Sequence, residues 1–379
     1  MATALALGRA RSDIDVMSRA GLPLHQFMDE AAAALAMVVP FVAACVSTLD
    51  PATAMVSSAR KLGALDGRNE QDLSWSQLEY GGEEPTAIRG MLQAGRTAVG
   101  MQRETRGDLD RSARMAELLV PYFDFHDEAR VVFADRSGGW GHVSLFRGSD
   151  DQVFAADELA FLAAVAPSFT RGIRTGLLAQ IAVTDPVPEA GPAVVIIDAQ
   201  NRIVQSTPGA QLHLERMSVV PGMGDPLVYV YALVDAARRF ARGETDRVPR
   251  VRARTADGLW LVLHAAPLGG IGDRGGDVVV TIEEARPQEV IDLVAAAFGL
   301  TARERDVVSI VLRGADTKEI AAAMHVSPYT VQDHLKSIFD KAGVTSRREL
   351  VARVYFDQYL SRAGSELAPS GWFAATDSR

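Results

Sequence analysis

The chain has 379 residues, 48% of them hydrophobic and 23% charged, with a net charge of −9 and a single cysteine, Cys45. That length supports two or three domains with proper cores. One cysteine excludes an internal disulfide and any cysteine-based zinc site, and the acidic balance excludes a protein coated in basic charge for nucleic acid.

The average hides an asymmetry. Residues 299–360 hold nine Lys or Arg against eight Asp or Glu and the tail 361–379 balances to zero, so residues 1–298 carry about −10. The last ordered segment is the one part that is not acidic, which permits nucleic-acid binding there.

Residues 1–8 are apolar but short, with no basic residues before them, unlike a secretory signal. The apolar run 31–46 is too short to span a membrane and contains Pro40, so it reads as a buried helix leading into a core strand. A cytoplasmic protein with no membrane association is the expectation, in keeping with the lone cysteine. Strand-like pieces follow at 129–134 and 141–146. Residues 161–181 read as a helix with Leu162, Phe169, Ile173, Leu177 and Ile181 on one stripe, and Pro167 is expected to kink or restart it.

Two proline-rich stretches, 185–192 (DPVPEAGP) and 284–288 (EARPQ), read as joints. Between them the pattern predicts strands at 194–197 and 202–206, helix between Pro226 and Arg242, then strands at 248–255, 259–267 and 277–283. Residues 287–298 form an amphipathic helix with Val290, Leu293, Val294 and Ala297 on one face.

The C-terminal segment is the most specific. Thr301 with Glu304, Asp316 with Glu319 and Ser346 with Glu349 have capping-box spacing. Ser327 followed by Pro328 is a cap with proline at the first helical position. Helices are predicted at 302–313, 317–324, 328–341 and 347–360, and only His325, Val326 and Ser327 separate the second from the third. That is the tight connection of a helix-turn-helix. Ile320, Ala321 and Met324 line the inner face of the second helix; Val331, Leu335, Ile338 and Ala342 line that of the third. The third helix turns a polar face outward, with Tyr329, Thr330, Gln332, Asp333, Lys336, Asp340 and Lys341.

Residues 300–350 resemble the LuxR/GerE-type DNA-binding domain along its full length. The matching signatures are LTxRE, the Gly314 break, KEIA, S-x-x-TV, His334, IF-x-KAGV and SRREL. The resemblance implies that helix 328–341 enters the major groove of double-stranded DNA, with Gln332, Asp333 and Lys336 at base edges. It places Lys318, Thr330, Lys341 and Arg347 at phosphates; Ser327, Tyr329 and His334 are further candidates for DNA contact, His334 more often a structural or phosphate-side residue than a base reader. Relatives carry Lys in place of Gln332 and rarely an acid in place of Asp333, so this helix is net neutral and leans more on base contacts and dimerisation. Val351, Val354, Tyr355 and Tyr359 give the last helix two apolar faces, one of them for a homodimer partner.

The element order of 190–285, with DGLWLVLHAAPL at 257–268, resembles a PAS domain, and GGWGHVSLFRG at 138–148 followed by DELAFL resembles a GAF domain. The expected organisation is an α+β GAF-like domain at 1–183 and an α+β PAS-like domain at 190–285. A linker helix at 286–298, an all-α four-helix DNA-binding domain at 299–362 and a tail at 363–379 complete it.

GIGDRG at 270–275 fits G-x-G-x-x-G but precedes a strand rather than a helix, so it reads as a hairpin loop. No P-loop, HExxH or GxSxG is present, and the seven His are scattered without ligand spacing. No enzyme activity, metal or cofactor is expected. The N-terminal helix disfavours a phosphoacceptor receiver, and the length of 1–285 disfavours an acyl-homoserine-lactone sensor. Cys45, Trp75, Tyr80, Trp140 and His142 are candidate lining for a small-molecule effector pocket, against the plain reading that they are core. Trp260 and His264 share one strand face and carry the same two readings. A transcriptional regulator controlled by a small ligand, or by a partner protein on the N-terminal domains, is the functional expectation.

Overall fold

The computed structural model describes residues 2–179, 192–217, 225–255, 258–269 and 276–356, without the side chains of 287, 288, 355 and 356. Most of the first joint, the 270–275 loop, Ile181, Tyr359 and the tail lie outside the described residues, as does the side chain of Tyr355.

The first half begins with α1 (Ala4–Arg19) and α2 (Leu24–Ala36), which leads into β1 (Ala43–Leu49) as the apolar run predicts. Then come β2 (Val56–Gly63), α3 (Asp72–Tyr80), α4 (Ile88–Gln93), β3 (Ala98–Gly100) and the short helices α5 (Met101–Glu104) and α6 (Val120–Phe123). The predicted strand pieces lie inside the longer hairpin of β4 (Phe125–Asp135) and β5 (Gly138–Gly148). The sheet order is β2-β1-β5-β4-β3, antiparallel throughout.

Helix α7 (Ala156–Leu178) covers one face of this sheet, with Phe169 stacked on Phe133 at 4.7 Å. It starts earlier than the pattern suggests and runs through Pro167 without a restart; Pro167 faces solvent, where its ring displaces nothing in the core. Helix α2 packs close against it. A Cβ at Gly172 would lie 2.1 Å from the Phe27 ring, and one at Gly176 would lie 2.8 Å from Leu24 Cα. The other face is covered by α3 and α6, where Trp75, Phe123, Phe125 and Phe146 form a ring cluster.

The second half holds β6 (Ala193–Ile197), β7 (Ile203–Ser206), α8 (Pro208–Met217), α9 (Leu227–Ala241), β8 (Arg250–Arg254), β9 (Trp260–Pro267) and β10 (Val278–Glu284). This is the predicted sequence of two strands, helix, then three strands, with α8 as an additional helix. The sheet order β7-β6-β10-β9-β8 repeats the order of the first sheet. Burial alternates along β6 and β10, the signature of a sheet with one covered face.

The two sheet halves form one compact unit. Helix α3 packs on α9, and the buried Asp50 carboxylate accepts from the backbone N–H of Arg252 at 2.9 Å and from its guanidinium Nε at 2.8 Å. Residues from Ala285 onward belong to a second, helical unit. It comprises α10 (Pro287–Ala297), α11 (Ala302–Leu312), α12 (Thr317–Met324), α13 (Pro328–Ala342) and α14 (Arg347–Val351), which continues as a π turn, Ala352–Phe356. The α10 face read from the sequence, Val290, Leu293, Val294 and Ala297, is buried, and α10 packs on α11 and the π turn.

Candidate nucleic-acid interface and interior cavity

The helical unit is assembled by its caps. Thr301 Oγ1 accepts from the Glu304 N–H, and the Glu304 carboxylate accepts from the Thr301 N–H. Asp316 accepts from the N–H groups of Lys318 and Glu319, and Glu319 accepts from the Asp316 N–H. Both are reciprocal boxes that satisfy donors left free at a helix start. The third predicted box closes differently. Ser346 accepts from the Glu349 N–H, but the Glu349 carboxylate reaches one residue further back, to the Thr345 N–H and hydroxyl.

Helix α12 ends on His325 in the left-handed region, φ 55°, and the Val326 N–H donates to Ala321. Ser327 then caps α13 by accepting from the Thr330 N–H at 3.1 Å. A left-handed residue costs a non-glycine side chain about 1–2 kcal/mol, so this turn is held by its surroundings. Val331, Leu335, Ile338 and Ala342 are buried, and Ile320 and Ala321 of α12 meet them. The opposite face of α13 is open. Gln332, Asp333 and Lys336 are exposed, and Tyr329 is 72% exposed.

The expected phosphate contacts divide. Lys318 stands exposed at the start of α12, and Thr330 and His334 are half-buried on α13. Arg347 donates to the Ala315 carbonyl at 2.8 Å, tying α14 to the loop before α12. Lys341 is engaged inside the domain: its Nζ lies 2.7 Å from both carboxylate oxygens of Glu304, which also accepts from Ser337. Burial opposes the charge on Glu304, but these donors overcome it and hold the carboxyl down at about 2. This α11–α13 clamp is not legible in the sequence, because its partners are 37 positions apart.

In the sheet unit, four of the five candidate pocket residues come together. Cys45 on β1, Trp75 and Tyr80 on α3 and His142 on β5 line a cavity of about 60 Å³, with Ser47, Lys61, Asp72 and Val228. Trp140 does not join them. It is the extra residue where Phe133 pairs Gly141 but Ala134 pairs Gly139, and its ring lies near the Arg174 guanidinium on α7. A bulge breaks the two-residue alternation, so the spacing from Trp140 to His142 misleads. Trp260 is buried and His264 half-buried on β9.

Beside the ring cluster, the face covered by α3 also carries a polar row. Lys61, Cys45, Ser144 and Arg130 are paired across four strands in one row. Arg130 and Arg114 are bound to Glu79 and Glu128, and Glu84 takes the Arg114 N–H. Lys61 donates to Asp72, Asn69 and the Arg68 carbonyl. Burial, reinforced by Arg130, lowers the His142 imidazole to about 3, so the ring is neutral, and its Nδ1 has no hydrogen-bond partner among the described residues. Burial pushes the Cys45 thiol up, away from the reactive thiolate. The cavity equals about two water molecules' share of liquid volume. Ordinary ligand pockets are several-fold larger.

A compact set of capped helices around a tight turn, with an open polar face on the helix after it, defines a helix-turn-helix domain. Residues 299–354 match the family model described as "Bacterial regulatory proteins, luxR family", and the C-terminal domain is a LuxR-type helix-turn-helix. The chain is 46% identical over 85 residues to the monoamine regulon transcriptional regulator of Klebsiella aerogenes, covering 19% of this chain and 37% of that one. It is 29% identical over 147 residues to the probable transcriptional regulatory protein NarL of Mycobacterium tuberculosis, covering 38% and 61%. The chain thus spans less than two thirds of either relative. The GAF domain of an Acinetobacter phosphoenolpyruvate-protein phosphotransferase aligns with 46% of this chain and 94% of its own, at 13% identity and a TM-score of 0.29, too low to identify a fold. Among the described residues no helix is long and apolar enough to cross a membrane.

Proposed function

We propose that this chain is a one-component transcriptional regulator. Its α13 reads the major groove, and residues 4–284 form the sensing half. The observation that carries the reading is the open polar face of α13 on a LuxR-type domain. Gln332 pairs with adenine, Lys336 reaches guanine and Asp333 accepts from cytosine. Lys318, Thr330 and Arg347 fix register on the phosphates. With Lys341 given over to Glu304, the backbone contribution is small, and a homodimer on two half-sites supplies the remaining affinity. The sheet half is GAF-like and then PAS-like in this reading, and effector binding there shifts the two recognition helices through α10.

The test is Gln332→Ala in the full chain. Affinity for the specific site falls by about 1–3 kcal/mol and one base position relaxes. An equal loss on specific and random DNA removes Gln332 from base reading. The small interior cavity favours a partner protein over a ligand held inside the first sheet half; the cleft between α3 and α9 favours a ligand held there.

A further inference from the structure

We infer that the cleft beside α3 and α9 in the sheet unit is a binding site for a small organic cation, with the Asp235 carboxylate as its counter-ion and the Tyr122 ring as its aromatic wall. The inference rests on reading residues 4–284 as the sensing half.

The cleft measures about 630 Å³, within the range of small-molecule sites. Its acids are Glu83, Glu84, Glu117 and Asp235; its cations are Arg238 and Arg242. Those cations are already engaged. Arg242 pairs with Glu244, and Arg238 donates to Asn201 Oδ1 at 2.6 Å and to the Asp198 carbonyl at 2.8 Å. Glu84 is likewise committed, to Ser112 and the Arg114 N–H.

Asp235 is the exception. It is 8% exposed, and its Oδ2 is buried without a hydrogen-bond partner among the described residues. The nearest guanidinium, Arg238, stands 3.9 Å from Oδ1, beyond hydrogen-bond range. Burial raises this carboxyl to about 6, against the pull of Arg238 and Arg242. Asp235 thus has one distant cation across Oδ1 and no hydrogen-bond donor at Oδ2 among the described residues, an incomplete compensation for a buried charge. The end of α3 adds to the negative field, since helix carboxyl ends carry partial negative charge; Gly81, which caps α3, is the neighbour facing Asp235. Tyr122 is 53% exposed and lines the same cleft, offering the ring face that attracts an ammonium or guanidinium.

The experiment is calorimetric titration of the full chain with benzylammonium and agmatine, beside benzyl alcohol and benzoate as neutral and anionic counterparts. Benzylammonium is expected to bind at least about tenfold more tightly than either counterpart, and Asp235→Asn to lose at least about thirtyfold of that affinity. Asp235→Asn removes a charge that burial disfavours, so it is expected to melt no lower than the parent chain. Tyr122→Ala is expected to cost about two- to fivefold. Equal binding of benzyl alcohol or benzoate, undiminished binding by folded Asp235→Asn, or no binding of either cation overturns the site. DNA affinity measured with and without saturating benzylammonium separates the two readings. Cation binding that Asp235→Asn abolishes, with DNA affinity unmoved, sustains the site and overturns the coupling.

Discussion

The two sheets of the larger unit share one strand order, yet one buried row on each has opposite chemistry. Across four strands the first sheet aligns Lys61, Cys45, Ser144 and Arg130. Across four strands the second aligns Ala193, Ile282, Leu263 and Val251, all buried. The aliphatic row is held by removal of apolar surface from water. The polar row and the groups packed on it take two arginines, a lysine and several carboxylates out of water and recover the loss only through close pairing. The recovery is incomplete: among the described residues Arg114 Nε, His142 Nδ1, Ser76 Oγ and Asp72 Oδ2 have no hydrogen-bond partner. A strand order therefore does not dictate an interior; the strands' own inward residues and the partners that the connecting segments bring to them do.

The largest effect comes from breaking the polar row. Arg130→Met leaves Glu79, Glu84 and Glu128 facing Arg114 alone and is expected to cost about 3–5 kcal/mol in urea unfolding. Burial alone does not predict that cost, so a value no greater than that of an aliphatic trim would collapse the contrast.

The Glu304 clamp carries the same chemistry into the helical unit. Its carboxyl sits near 2, below the ordinary 4.5. Its contribution is therefore complete above pH about 4.5 and lost as pH falls toward 2, by on the order of 3 kcal/mol. Hydrogen exchange of α11 and α13 amides in the full chain, measured down that range, should show the loss, and Glu304→Gln should flatten that part of the profile.

The first sheet's other face is sharpened by Gly172→Ala, which forces Phe27 off α7 and is expected to cost about 1–3 kcal/mol. Thermal unfolding indistinguishable from the parent would show that α2 moves freely. The smallest effect belongs to the aliphatic row, where Ile282→Val should cost about 0.5–1.5 kcal/mol in the same urea titration.

Legibility in the sequence follows the same divide. The helix-turn-helix was readable because its caps and apolar steps are local: Thr301 and Glu304, Asp316 and Glu319, Ser327 and Pro328 lie within three positions of each other. The strands of the second sheet were readable from apolar runs. In the first sheet β2 escaped notice, because VSSARKLG buries serines and a lysine where alternation predicts hydrophobes. Helix α8 is hidden because Pro208 and Gly209 open its ten residues and read as a turn. Cys45, Trp75, Tyr80 and His142 line one cavity, yet its partners Lys61 and Asp72 and its small size depend on tertiary pairing. Trp140 was misassigned because a single bulged residue breaks the period. The Asp235 cleft needed α9 to be placed against α3, which no spacing encodes.

The paired arginines and glutamates of the first sheet also constrain how such a protein diverges. Ile282 tolerates stepwise exchange, each intermediate losing a fraction of a methyl group's packing. A single step at Arg130 or Glu128 strands the opposite charge, at a cost comparable to a sizeable part of the about 5–15 kcal/mol that keeps a domain folded. Lineages must therefore change these positions together or leave them alone. The first sheet's covered face is expected to drift in blocks of co-substituted residues, while the second sheet's drifts one residue at a time.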